Sequence, residues 1–127
     1  MHPYHHALSS AKKHGGEWTH YIEIHEWFDA TKQYFGDARH RALRHHTAGI
    51  FWCEEEFGIT IPVNGKDIPV RVIAEQHVME DMGFLPSPDW WLNQMMLVPA
   101  MNRVPTKPFE VEDLTRKIAV EMYKGEG

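Results

Sequence analysis

Glycines cut the first 83 residues of this chain into runs of helical length. Gly15-Gly16, Gly36, Gly58 and Gly83 follow segments whose apolar residues recur at helical spacing. A glycine just past such a run is a common helix stop, because it adopts a left-handed conformation without steric cost. The spacing predicts a first helix from about Pro3 to Lys13 and a second from Tyr21 or Ile24 to Phe35. A third, capped by Asp37, runs from about Ala38 to Phe57. Asn64-Gly65 then turns a short hairpin between Ile59–Val63 and Lys66–Ile68, since both central positions of the tightest hairpin turn need positive φ. A fourth helix begins near Pro69 or Val70, and Ser87-Pro88-Asp89 opens a short fifth through about Leu97. A last one spans about Val111 to Lys124, with Val111, Leu114, Ile118 and Met122 on one stripe. The expected fold is mainly α: a compact bundle of four to six helices with one small β-hairpin at about 59–70.

Composition changes at Gly83. All ten histidines precede it, nine of them between positions 2 and 46, and five of the prolines follow it. Residues 1–83 are therefore read as a His-rich helical core, and residues 84–127 as a C-terminal arm that packs on the core or on a second subunit. The chain has 127 residues, the size of one domain overall. Thirteen Lys and Arg against 18 Asp and Glu leave a formal charge of −5, which disfavours general nucleic-acid binding. No apolar run approaches a membrane span, and no signal pattern opens the chain. A soluble, cytoplasmic protein is expected. The single cysteine, Cys53, excludes an intrachain disulfide and a cysteine-based zinc finger.

Each residue of a helix can be placed on or off its apolar face. On the third helix the stripe is Leu43, Ile50, Cys53 and Phe57; His46 and Glu54 fall inside it, and His45 points nearly the opposite way. On the fourth, His77 sits at the centre of Val70, Ile73, Ala74 and Phe84, flanked by Glu80 and Asp81. On the second, Ile24, Phe28, Thr31 and Phe35 form the stripe, with His25, Asp29 and Lys32 at its edge. On the first, Leu8 and Ala11 face inward with His5 at the margin. His25-x3-Asp29 and His77-x3-Asp81 repeat one spacing that puts both groups on one side of a helix.

Helical bundles build metal sites from such inward-facing ligands on several helices. His5, His25, His46 and His77, with Asp29 and Asp81, are the candidate ligands for one divalent transition metal. Zinc is favoured, with Mn, Fe or Ni open. Glu54 or Glu80 would orient a ligand or act as general base. Arg41 and Arg44, with Lys32 nearby, would hold an anionic substrate such as a phosphoester or nucleotide. That makes a metal-dependent hydrolase one reading. The other is a non-catalytic interaction or inhibitor protein whose buried His/carboxylate network only fixes the fold. It would dock on a host protein or a second copy through Trp90, Trp91 and the 84–127 arm.

Five runs carry a resemblance: His2-x2-His5-His6, Ile24-His25-x3-Asp29-x2-Lys32, Arg39-His40-Arg41-Ala42-Leu43-x-His45-His46, Gly49-Ile50-Phe51 with Glu54 and Phe57-Gly58, and Ala74-Glu75-Gln76-His77-Val78-x-Glu80-Asp81-x-Gly83. Together, over about residues 2–92, the chain resembles a family of short uncharacterised proteins, a domain of unknown function met in phage and bacterial genomes. The resemblance implies a genuine domain in a phage or mobile-element setting and transfers no activity.

Overall fold

The structure is a computed structural model that describes residues 1–104. It is mainly helical with one two-stranded antiparallel hairpin, and it divides into a unit over Met1–Met95 and a second that begins at Met96. The described part of the second unit holds one 3-10 turn, Pro99–Asn102. The helix expected at about Val111–Lys124 lies outside the described residues. Among those described, no helix is long and apolar enough to cross a membrane.

The first unit contains α1 (Pro3–His14), α2 (Ile22–Asp29), α3 (Thr47–Phe57), strands β1 (Thr60–Val63) and β2 (Lys66–Pro69), α4 (Val70–Met82) and α5 (Pro88–Leu92). α1 starts at Pro3, where a missing N–H costs nothing, and His2 Nδ1 accepts the Tyr4 N–H at 3.1 Å. The strands pair Val63 with Lys66 around Asn64 (φ 49°) and Gly65 (φ 83°), the two left-handed residues the turn requires. Gly83 (φ 79°) ends α4. α4 packs against α1, α2 and α3, and the core joins Ala7, Tyr21, Ile24, Phe28, Ile50, Cys53, Ile73 and Val78.

The third predicted helix is two elements instead of one. Ala38–Leu43 is a 3-10 segment, capped by Asp37 as expected, and α3 begins at Thr47 with His46 in extended conformation as its N-cap. The chain folds back so tightly between them that a Cβ on Gly49 would lie 1.8 Å from the Arg44 carbonyl oxygen. The extended His46 (φ −160°, ψ 173°) is where the helix breaks, and Gly49 leaves room for the chain that folds back. The break turns Leu43, expected in the core, outward. α2 likewise gives way at Ala30 to a 3-10 turn through Gln33, which leaves Phe35 exposed. α5 stops at Leu92, short of Leu97, and Phe84 and Leu8 are also exposed.

Candidate metal centre

His77 is the hub of a polar cluster inside the helical core. Its ring lies parallel to Phe28 with centroids 4.7 Å apart, and against His6 at 4.0 Å, His45 at 5.0 Å and His25 at 5.2 Å. All four histidines are fully buried. α1 supplies His6 and Ser10, α2 supplies His25 and Asp29, the turn before α3 supplies His45, and α4 supplies Gln76, His77, Glu80 and Asp81. The i, i+4 spacing read from the sequence is what lets α2 and α4 each present a histidine with an aspartate one turn on.

Four atoms converge on the Nε2 side of His77. His77 Nε2 lies 3.2 Å from His45 Nε2, 3.2 Å from Asp81 Oδ2 and 3.5 Å from Asp29 Oδ1. His45 Nε2 lies 3.0 Å from the same Asp81 oxygen and 3.7 Å from the Asp29 oxygen. A tetrahedron has edges about 1.63 times its centre-to-vertex distance, so ligand bonds of about 2.0–2.1 Å place ligand atoms about 3.3–3.4 Å apart. The observed spacings bracket that value. Two imidazoles and two carboxylates, buried together, form a set that could hold a metal ion.

His6, His25 and His77 form a second convergent group, but its chemistry differs. Both His6 nitrogens face carboxylate oxygens, Nδ1 at 3.0 Å from Glu80 and Nε2 at 3.0 Å from Asp81. A ring that donates on both sides is an imidazolium. Burial opposes that charge, yet the hydrogen bonds to Asp81 and Glu80 outweigh burial and raise the His6 pKa above its ordinary value. Both His6 ring nitrogens are thus spent on carboxylates, and neither is free to bind a metal.

Burial drives His25 and His45 the opposite way. Desolvation, with His77 and His6 as neighbours, pushes His25 down to about 2. Desolvation also lowers His45 to about 4, against the hydrogen bond it donates to Asp81. Both are neutral near pH 7, the form in which imidazole binds metal. Burial alone would raise the carboxylates, but the bonds from His45, His6 and His77 hold Asp81 far below the usual range. Asp29 is also lowered, because the His77 hydrogen bond and charge, with help from Lys32, outweigh its desolvation. Asp29 Oδ2 and His45 Nδ1 are buried without a hydrogen-bond partner among the described residues.

Of the expected ligands, the structure brings His25, Asp29, His77 and Asp81 together. It does not bring His5 or His46. His5 is exposed beside Tyr4, and its neighbour His6 occupies the interior. His46 caps α3, its Nδ1 accepting the Gly49 N–H at 3.0 Å and its Nε2–H donating to the Leu43 carbonyl at 3.2 Å. His45, read as facing away, takes the place beside His77. The two errors have one cause. Each is a phase choice within an adjacent His-His pair, on a helix with few apolar residues (α1) or across a break (before α3). The buried set His6, Ala7 and Ser10 on α1 is small and polar, so hydrophobic periodicity did not mark it.

Glu54 is away from the cluster and pairs with Arg71 at 3.1 Å. Glu80 sits at its rim, accepting Ser9 Oγ–H at 2.7 Å and Gln76 Nε2–H at 2.9 Å. The Arg41 guanidinium lies 3.7 Å from Asp81 Oδ1, and its Nε is buried and unpaired among the described residues. Arg44 instead lies over the Trp27 ring at 4.1 Å and donates to the Trp27 carbonyl. Lys32 is exposed. Trp91 packs on the core, its indole N–H donating to the His45 carbonyl at 2.8 Å, and Trp90 is exposed.

Neither the curated proteins nor the solved structures yield a match to this chain. One family model does, over residues 1–101, and those residues span all of the cluster. The chain therefore belongs to the family described as a domain of unknown function, DUF6915.

Proposed function

We propose that this protein binds one divalent transition metal through His45, His77 and Asp81, with Asp29 beside it, and acts as a hydrolase on an anionic phosphoester or nucleotide. The convergence of four ligand atoms at 3.0–3.7 Å carries the reading. Zinc is favoured by two imidazoles and a carboxylate at tetrahedral spacing, with Mn, Fe and Ni as alternatives. His45 Nε2, His77 Nε2 and Asp81 Oδ2 are the tight trio, 3.0–3.2 Å apart. The Asp29 oxygen stands farther off, and its second oxygen is unpaired among the described residues. Three protein ligands with a fourth position for water is the pattern of catalytic sites, and a divalent ion there lowers the pKa of water toward neutrality. Asp29, whose Oδ1 faces the trio, would be the base beside that water. Arg41 and Lys32 supply positive charge for the substrate. Glu80 positions His6 and Gln76, while Glu54 and Arg44 are engaged elsewhere.

One observation favours the non-catalytic alternative. Asp81 already faces three imidazoles and the Met1 α-amino group, so the network satisfies its anion without an ion. In that case the working surface would be exposed Trp90 and the neighbouring apolar groove lined by Phe35, Leu43, Trp91 and Met95, meeting a host protein or a second copy. Metal content of untagged protein, measured by plasma mass spectrometry, separates the two, with melting followed before and after chelation. One equivalent of metal is expected. A ligand at about 100 times its Kd stabilises by about 2.7 kcal/mol, which shifts the melting of a domain this size by about 10–20 °C. No metal and no shift refute the proposal and leave a structural network.

A further inference from the structure

The helix breaks that turn Phe35 and Leu43 out of the core leave both lining one groove. Its volume is about 620 Å3, and Tyr34, Phe35, Leu43, Trp91 and Met95 form its walls. That size suits a small ligand. Three of the five walls are aromatic, and no carboxylate lines the groove among the described residues. Arg39 also lines it, with its charge already matched. The guanidinium donates to both Asp37 oxygens, at 3.1 and 2.7 Å, and lies over the Phe35 ring at 4.3 Å. Of the lining residues only His40 is buried, at 2 % exposed. Its Nδ1 meets Thr31 Oγ1 at 2.8 Å, and that hydroxyl also contacts the Phe28 and His40 carbonyls at 3.4 and 3.3 Å. His40 Nε2 has no hydrogen-bond partner among the described residues.

The groove therefore joins flat apolar walls to one buried, unpartnered ring nitrogen. An alkyl chain would suit the walls and leave that nitrogen unpaired. A planar heterocycle suits both, with its faces on the aromatic rings and a polar edge on Nε2. Base edges carry donors and acceptors alike, so either form of the imidazole finds a match. The groove also shares a wall with the metal centre. The His40 ring meets His45 edge-on with centroids 5.7 Å apart, and the Trp91 indole N–H donates to the His45 carbonyl. We infer that this groove is the base site of a nucleotide, holding a nucleobase against Phe35 and Trp91 with its polar edge on His40. The choice of a nucleotide over other phosphoesters rests on the proposed hydrolase. The affinity for a planar heterocycle does not, and it is measurable without metal.

The test is titration of the 15N-labelled chain, in chelator, with adenosine, guanosine, cytidine and uridine, read from the tryptophan indole 1H–15N shifts. Saturable one-to-one binding of at least one nucleoside is expected, with a Kd of about 0.1 mM, the strength that ordinary ligand efficiency gives a molecule of that size. Phe35 is exposed, so Phe35→Ala should fold like the parent and bind about fivefold or more weakly, as loss of a stacking ring does. Octyl glucoside, an alkyl chain on a sugar, should bind more weakly than the nucleoside. No saturation by any of the four overturns the inference, as does an unchanged Kd in Phe35→Ala. Octyl glucoside binding as tightly overturns it too, and leaves a merely apolar groove. A dimer by light scattering that takes no nucleoside gives the groove to a second copy. Zinc titrated into the same protein is read separately. Its failure removes the hydrolase and leaves a nucleoside groove, whereas failure of the nucleosides leaves the metal centre standing.

Discussion

Acid should unfold the metal-free protein earlier than its carboxylates alone would require. His25 and His45 have folded pKa values of about 2 and about 4, both below the ordinary 6.5. The unfolded chain therefore takes up protons that the folded chain refuses, and stability falls as pH drops below about 6.5. Each withheld proton costs about 1.4 kcal/mol per pH unit, so at pH 5 each histidine removes about 2 kcal/mol relative to pH 8. Together they remove about 4 kcal/mol from a total that for a small domain is about 5–15 kcal/mol. His6 has the opposite sign. Its raised pKa contributes stability that is fully present below about 6.5 and lost as pH rises through the folded value, so it offsets part of the loss. A net fall of at least about 2 kcal/mol is expected between pH 8 and pH 5. Urea unfolding in chelator, followed by tryptophan fluorescence, reads this directly. With a slope of about 1 kcal/mol/M for a unit this size, the midpoint drops by about 2 M or more. Carboxylates such as Asp81, held low in the fold, cause loss only below about pH 4. A midpoint constant from pH 8 to pH 5 would refute the burial argument for both histidines.

Two further outcomes follow from the turn before α3. Gly49→Ala places a methyl 1.8 Å from the Arg44 carbonyl oxygen, so the chain between Arg44 and Gly49 has to open. We expect a loss of about 2–4 kcal/mol by urea unfolding, against the stabilisation of about 1 kcal/mol that the same change gives in an ordinary helix interior. The adjacent histidines separate function from capping. His46→Ala should cost about 1 kcal/mol through the lost cap and leave metal binding intact, whereas His45→Ala should abolish binding. Equal metal affinity in the two variants, by calorimetry, would contradict the site as described.

Much of the candidate site was legible because helical spacing is local. His25 with Asp29 and His77 with Asp81 needed the 3.6-residue repeat and nothing more. The hairpin was legible for the same reason, since Asn64-Gly65 dictates its turn. Where local rules were silent the reading slipped by one residue. On α1 the apolar residues Leu8 and Ala11 suggest one face, yet the interior takes His6, Ala7 and Ser10, because Glu80, Asp81 and Gln76 of α4 lie there to receive them.

The sequence by itself determined which segments are helical, where most of them end, and that histidines and carboxylates share helix faces. Glycine stops, caps and periodicity act over a few residues, so they can be read without knowing what packs where. Tertiary structure decided which member of each His-His pair goes inside, that Glu54 and Arg44 are spent on Arg71 and Trp27, and that Gln76 and Ser10 belong to the cluster. Those choices depend on distances between atoms 17 to 75 residues apart in the chain. Buried polar atoms accept only positions where a partner waits, and that partner is supplied by another helix.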